Sequence, residues 1–337
     1  MGAVNTNESG GFFMRETFIQ IEDYLIYCQT KGLSIKTIKS YEQTLKLFER
    51  YLIDLNITSF KKVTAKTILN YISFIQERGK YTVAADDRSK AFNHPENRTD
   101  LGKRVSTVTI NSYIRNMRAF FNYCVTFDII KKNPMEKIRQ IPNKRKAKDF
   151  ITDGQFQLLT QQFNLASYSE YRDYIITLLL MDTGMRISEC LLIKIEDIDF
   201  TKRIIFLPAE NTKGKRDRTV FYSSKMALLL KRWLKYRDMY TNTQYLFSTQ
   251  KGKPIINSVY EKNFRKICAK AGIENVSPHT LRNNFAKRFL MNGGNIYILS
   301  QILGHSSVEV TEQAYLDLTT EDICENYQNY SPLARMK

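Results

Sequence analysis

Six side chains in the second half of the sequence have the chemistry to break a phosphodiester bond together: Arg186, Lys213, His279, Arg282, His305 and Tyr315. Arg186 stands in Thr183-Gly-Met-Arg-Ile-Ser-Glu189. His279 and Arg282 lie three residues apart in His-Thr-Leu-Arg, a spacing that predicts one shared helix face. His305 follows Leu303-Gly304, and Tyr315 comes ten residues later. Lys213 sits in the polar turn Asn211-Thr-Lys-Gly-Lys215. Metal-free phosphodiester cleavage needs a nucleophile in line and cations for the charge that builds on the phosphoryl oxygens. It also needs an acid for the leaving alkoxide and a base for the nucleophile's proton. A tyrosine nucleophile keeps the bond energy in a covalent phosphotyrosine, so a strand can be rejoined without a nucleotide cofactor. The expectation is therefore an enzyme with no cofactor and no metal.

Those residues must be held by helices and a small sheet. Apolar positions recur every three or four residues at Ile38, Tyr41, Leu45, Phe48 and Leu52 after the N-cap candidate Ser34. They recur again at Ile68, Tyr71, Ile72 and Ile75, and at Ile110, Ile114, Met117, Phe121 and Cys124. Between these helices, residues 80–106 are polar and aperiodic, a length of irregular chain that is often functional. Arg115 and Arg118 lie off the third apolar stripe, where they face either DNA or solvent. Asn133-Pro134 closes this region. The basic stretch 142–148, with Lys144, Arg145 and Lys146, reads as a linker that either tracks a duplex backbone or is a solvated hinge.

After the linker, helices are expected over Asp153–Gln162, Tyr171–Thr183, 224–239, 258–271, 279–292 and 295–303, and again around Tyr315. Two strands are expected at Arg203–Leu207 and Arg218–Tyr222. The division that follows is a flexible tail (1–14), a helical domain (15–141), the linker (142–148) and a second domain (149–337).

Composition narrows the partner. The 337 residues are enough for about two cores. The 51 Lys and Arg against 34 Asp and Glu leave a net charge of +17, which favours a polyanion through counterion release. No apolar run approaches a membrane span, and no signal peptide is evident. The five cysteines are scattered, odd in number and without a CxxC pair, so free buried thiols in a reducing cytoplasm are expected rather than disulfides or a zinc ribbon. Only three histidines exist, so a histidine-built metal site is poorly supplied.

The motifs TGMRISECLLIKIEDID, NTKGKRDRTV, HTLRNNFA and LGHSSVEVTEQAY occur in the order and near the spacing of the tyrosine recombinase (phage integrase) family, which this sequence resembles. Each motif alone is weak, but four in order ending on a tyrosine are specific. The helices of the first half resemble that family's core-binding domain. The resemblance implies a mainly α fold: an N-terminal helical core-binding (SAM-like) domain, then a mixed, mostly helical catalytic domain with a small antiparallel β-sheet. It implies that Arg186 and Arg282 clamp the scissile phosphate and that Lys213 protonates the 5′-hydroxyl leaving group. Lys213 is preferred to Lys215 because Arg218 and Val220 then fall in the family's register. His279 would accept or relay the tyrosine proton, His305 would bond a non-bridging oxygen, and Glu189 would orient a catalytic side chain. Tyr315 would attack to give a 3′-phosphotyrosine.

The resemblance further implies double-stranded DNA carrying specific sites as partner, a homotetramer on two such sites, and accessory DNA-bending or directionality proteins. It implies a cytoplasmic, nucleoid-associated location without membrane contact. Three departures stand out: Asn283 where many members carry histidine, a His305–Tyr315 interval one residue longer than in many members, and the 80–106 insertion. The last two favour an integrase or transposase of a mobile element over Xer-like dimer resolution. No separate arm-site-binding domain is expected ahead of the first helix. A non-catalytic DNA-binding protein of the same fold and a type IB topoisomerase are the competing classes.

Overall fold

Apolar periodicity and capping set the helices of the first half. In this computed structural model, residues 16–84, 90, 91, 93–143, 150–305 and 307–315 are described, the last three by backbone alone. The expected tail, the linker cations Lys144, Arg145 and Lys146, and Cys324 lie outside them. The chain divides into two units, Met1–Arg145 and Lys146–Lys337.

The first unit contains α1 (Glu16–Thr30), α2 (Ile35–Asp54), α3 (Ala65–Arg78) and α4 (Thr107–Thr126). Ser34, Thr64 and Ser106 each cap the following helix by accepting from a backbone N–H three residues on. Such a cap contributes about 1 kcal/mol. The apolar faces meet in a core rich in rings, including Phe48, Phe60, Tyr71, Phe120 and Phe121. Asn111 closes the end of the unit, donating to the Ile141 carbonyl (2.9 Å) and accepting from the Ile141 N–H (2.8 Å). The described part of 80–106 is more ordered than its composition suggests. Lys80 N–H bonds the Lys103 carbonyl and Gly102 N–H bonds the Lys80 carbonyl, so the ends of the insertion are paired. Arg98 stacks on the Tyr81 ring at 3.8 Å and pairs with Asp100.

The second unit begins with α5 (Asp153–Gln161) and α6 (Tyr168–Thr183), the latter starting three residues before the expected Tyr171. One short turn, α7 (Ile187–Cys190), leads to a three-stranded antiparallel sheet: β1 (Ile198–Asp199), β2 (Ile204–Leu207) and β3 (Arg218–Phe221). The sequence reading missed β1, which at two residues is too short to show alternation. Helices α8 (Ser224–Arg237), α9 (Asn257–Lys270), α10 (Pro278–Met291), α11 (Ile296–Leu303) and α12 (Val308–Tyr315) complete the unit. The buried helix α6 is the hub, with α8 and α10 packed on it. Its core joins Leu179, Leu180, Met185, Trp233, Phe247 and Tyr260. The fold is thus mainly helical with one small sheet.

Candidate active site

Two glycines with positive φ place the site's backbone. Gly184 ends α6 at φ 64°, and a Cβ there would stand 2.2 Å from the Phe285 ring of α10. The chain therefore turns tightly and delivers Arg186 to the start of α7. Gly304 ends α11 at φ 63°, and a Cβ there would stand 2.8 Å from the Arg218 side chain. That turn delivers His305.

Glu189 sits between two cations. Its Oε1 accepts from Arg186 Nη1 (2.9 Å), and its Oε2 accepts both the Arg186 backbone N–H (2.8 Å) and Arg218 Nη2. The Glu189 side chain is fully buried, while Arg186, held by Glu189 at both its backbone N–H and its Nη1, keeps a quarter of its side chain exposed. Burial alone would push the Glu189 carboxyl up. The charges of Arg218 and Arg186 and the bond from the Arg186 N–H outweigh it and hold the carboxyl below its ordinary value.

Arg282 is 2% exposed. Its Nη1 donates to the Gly184 carbonyl (2.8 Å), and its Nη2 donates to the Leu303 carbonyl (2.7 Å) and to His305 Nε2 (3.1 Å). One planar guanidinium therefore ties the ends of α6 and α11 to the histidine. His305 Nδ1 lies 2.8 Å from the hydroxyl of Thr311, a buried residue of α12. Tyr315 is the last residue of that helix.

Between β2 and β3 the loop folds around the buried hydroxyl of Thr212. That oxygen accepts from the Arg216 N–H (3.1 Å) and lies 2.9 Å from the Arg216 carbonyl as donor. Asp217 accepts from the Ala209 N–H (2.6 Å). Lys213 is left exposed at the edge of a cleft of about 560 Å³ whose lining includes Arg186, Lys213, Arg218, Gln301 and His305. Lys215 is not among the lining residues and takes a positive φ of 49°.

Four of the six candidates thus share one neighbourhood. Arg186, Lys213 and His305 line the cleft, and Arg282 lies behind it, bonded to His305. His279 is not among the residues lining this cleft. It is exposed on the first turn of α10 and borders a depression lined also by Ile187, the neighbour of Arg186, and by Glu261 and Arg265. Arg282 points into the protein, so the two ends of His-Thr-Leu-Arg face different surroundings despite their three-residue spacing. In the first unit, Arg115 is exposed and bonds Ser112, whereas Arg118 is half-buried and donates to the Ile138 carbonyl. Asn283 is buried, and its side-chain oxygen has no hydrogen-bond partner among the described residues. Sequence reasoning missed Arg218 as a site residue. Its signals in the sequence are its place in the family's register and its position at the start of the strand that follows the lysine turn. Among the described residues, no group of three or more His, Cys, Asp or Glu side chains is arranged to hold a metal ion. No described helix is long and apolar enough to cross a membrane.

The sequence profile described as the Phage integrase family matches residues 149–322, just over half the chain. The chain belongs to the phage integrase family. A second profile, the phage integrase SAM-like domain, matches residues 17–141 of this recombinase. Tyrosine recombinase XerD of Staphylococcus saprophyticus is 26% identical over 322 residues, spanning 93% of this chain and 99% of its own. A tyrosine recombinase of Pseudothermotoga lettingae is 29% identical over 92% of this chain and 96% of its own. Among solved structures, the Tn1549 transposon integrase in complex with a circular intermediate DNA superposes with a TM-score of 0.69 at 18% identity, covering 94% of this chain and 100% of that one. The XerH recombinase bound to palindromic difH substrate gives 0.67 at 18% identity, covering 93% and 84%. The relatives and the catalytic profile make this chain a DNA recombinase of the site-specific tyrosine class.

Proposed function

We propose that this recombinase cuts and rejoins DNA through a 3′-phosphotyrosine on Tyr315 and a Holliday junction, in the integration, excision or transposition of a mobile element. The observation that carries the chemistry is the meeting of Arg186, Lys213 and His305 around one cleft, with Arg282 bonded to His305. In this reading Arg186 and Arg282 neutralise the charge developing on the scissile phosphate, work that a planar fork does better than an ammonium. His305 bonds a non-bridging oxygen. Lys213 gives its proton to the departing 5′-oxygen. Tyr315 attacks phosphorus, and its proton passes to His279 or a base it relays to. Glu189 holds Arg186.

The domain assignment goes with this. Residues 15–141 grip the duplex with Arg115 and Arg118, 142–148 form the linker with Lys144, Arg145 and Lys146, and 149–337 carry catalysis and the segment exchanged in a homotetramer. The mobile-element role draws on the 80–106 insertion and the long His305–Tyr315 interval. Xer-like dimer resolution is the second reading, favoured by the near full-length match to XerD.

The test uses nicked suicide duplexes bearing the ends of the native genetic element. A covalent protein–DNA adduct is expected from the parent, with and without EDTA, and none from Tyr315→Phe. Loss of the adduct on chelation, with recovery on adding magnesium, would end the metal-free mechanism. Tight specific binding with no adduct would leave a DNA-binding protein.

A further inference from the structure

Arg218 is outside the six residues that the motifs single out, yet its side chain meets two other segments of the site. It donates Nη2 to Glu189 Oε2 and Nη1 to the carbonyl of Ile302 at the end of α11. Its aliphatic stem fills the space that a side chain on residue 304 would need. Its register partner is Leu207, so it stands at the end of the hairpin whose loop carries Lys213. Only 10% of the Arg218 side chain is exposed.

The charges give this position a consequence for Arg186. Glu189 is a fully buried carboxylate, and a buried anion needs a matching cation. Arg186 reaches Oε1 and Arg218 reaches Oε2, and of the two side chains along the cleft Arg186 is the more exposed, 25% against 10%. We propose that Arg218 is a positioning residue that neutralises Glu189, so that the charge of Arg186 remains available to the scissile phosphate. Without Arg218, Glu189 draws on Arg186 alone, and the guanidinium is matched by the carboxylate instead of by DNA. This deepens the phosphotyrosine reading and rests on it.

The experiment measures single-turnover adduct formation on suicide duplexes at saturating protein, with DNA affinity and thermal melting recorded for each variant. Arg218→Met is expected to slow adduct formation roughly 10- to 100-fold, the size typical when a residue orienting a ligand is lost, with DNA affinity kept. Arg218→Lys, which keeps the charge, should recover most of the rate. In a Glu189→Gln background, Arg218→Met should cost no more than about twofold, the scatter of uncoupled changes. A structural role alone would give no such rescue. Parent-like cleavage by R218M overturns the proposal, and so does an undiminished loss in the E189Q background. If R218M does not fold, the E189Q pair decides the matter, because both charges of the buried pair are then gone. An adduct from the parent with equal adduct from R218M removes Arg218's role alone. No adduct from the parent removes the phosphotyrosine reading and this inference with it.

Discussion

Arg282 and His305, distant in sequence, meet at 3.1 Å through Nη2 and Nε2. A guanidinium only donates, so Nε2 accepts and the imidazole is neutral there. Its proton is then on Nδ1, which donates to the Thr311 hydroxyl at 2.8 Å. A phosphate oxygen also accepts, so His305 must change proton or orientation to bond one. The expectation is a neutral Nδ1–H tautomer in the DNA-free protein and a donor Nε2–H once DNA is bound. Nitrogen-15 NMR of labelled histidine, assigned by His305→Gln, reads both. An Nε2–H tautomer without DNA would contradict the contact.

Arg282→Lys tests the fork. An ammonium cannot reach the Gly184 and Leu303 carbonyls and His305 together in the geometry of a planar guanidinium. DNA binding should persist while cleavage falls roughly 100- to 1000-fold, as when a preorganised donor to a developing oxyanion is removed. Gel-shift titration and adduct formation on the same duplex separate the two effects. Near-normal cleavage would take Arg282 out of the phosphate clamp.

Glu189 makes stability depend on acidity. Its carboxyl is held below the ordinary value in the folded chain, so the unfolded chain binds the proton more readily. The stabilisation is complete above the ordinary carboxylate value and is lost as pH falls through the lower, folded-state value. Melting temperature measured from neutral pH downward should fall less steeply in Glu189→Gln than in the parent. Parallel curves would show that this carboxylate contributes nothing to the acid response.

Gly184→Ala should destabilise the second unit by about 2–4 kcal/mol, combining a positive-φ penalty with a clash in a packed site. The contact partner is the Phe285 ring, so Phe285→Leu in the same chain should restore part of the loss. Urea unfolding of the single and double variants checks this, and an unaltered midpoint in G184A would refute the close approach.

Most of this architecture is legible in the sequence because helices declare themselves through period and caps. Ser34 marks one start, and the apolar steps from Ile38 to Leu52, Ile68 to Ile75 and Ile110 to Cys124 mark three helices. Strand β1 escapes because two residues carry no alternation. The ordering of 80–106 escapes because Lys80, Gly102 and Lys103 pair through backbone atoms, to which side-chain patterning is blind. The site divides in the same way. Motif order points to Arg186, Arg282 and His305. The inward turn of Arg282 away from His279, and the burial of Arg218 beside Glu189, depend on contacts between segments far apart in the chain, and no local pattern records them.

The four described cysteines, each a buried free thiol, offer one more use of this packing. Burial pushes the Cys124 thiol up to about 12 and the Cys268 thiol up to about 11, and raises Cys28 and Cys190 as well. Thiolate is the form that alkylating reagents attack, so all four should stay silent while their surroundings are closed. Cys28 and Cys124 belong to the core of the first unit, Cys190 and Cys268 to that of the second, and Cys190 adjoins Glu189. The protein therefore carries a separate stopwatch in each half, and the rate at which each pair becomes labelled times how often that half opens.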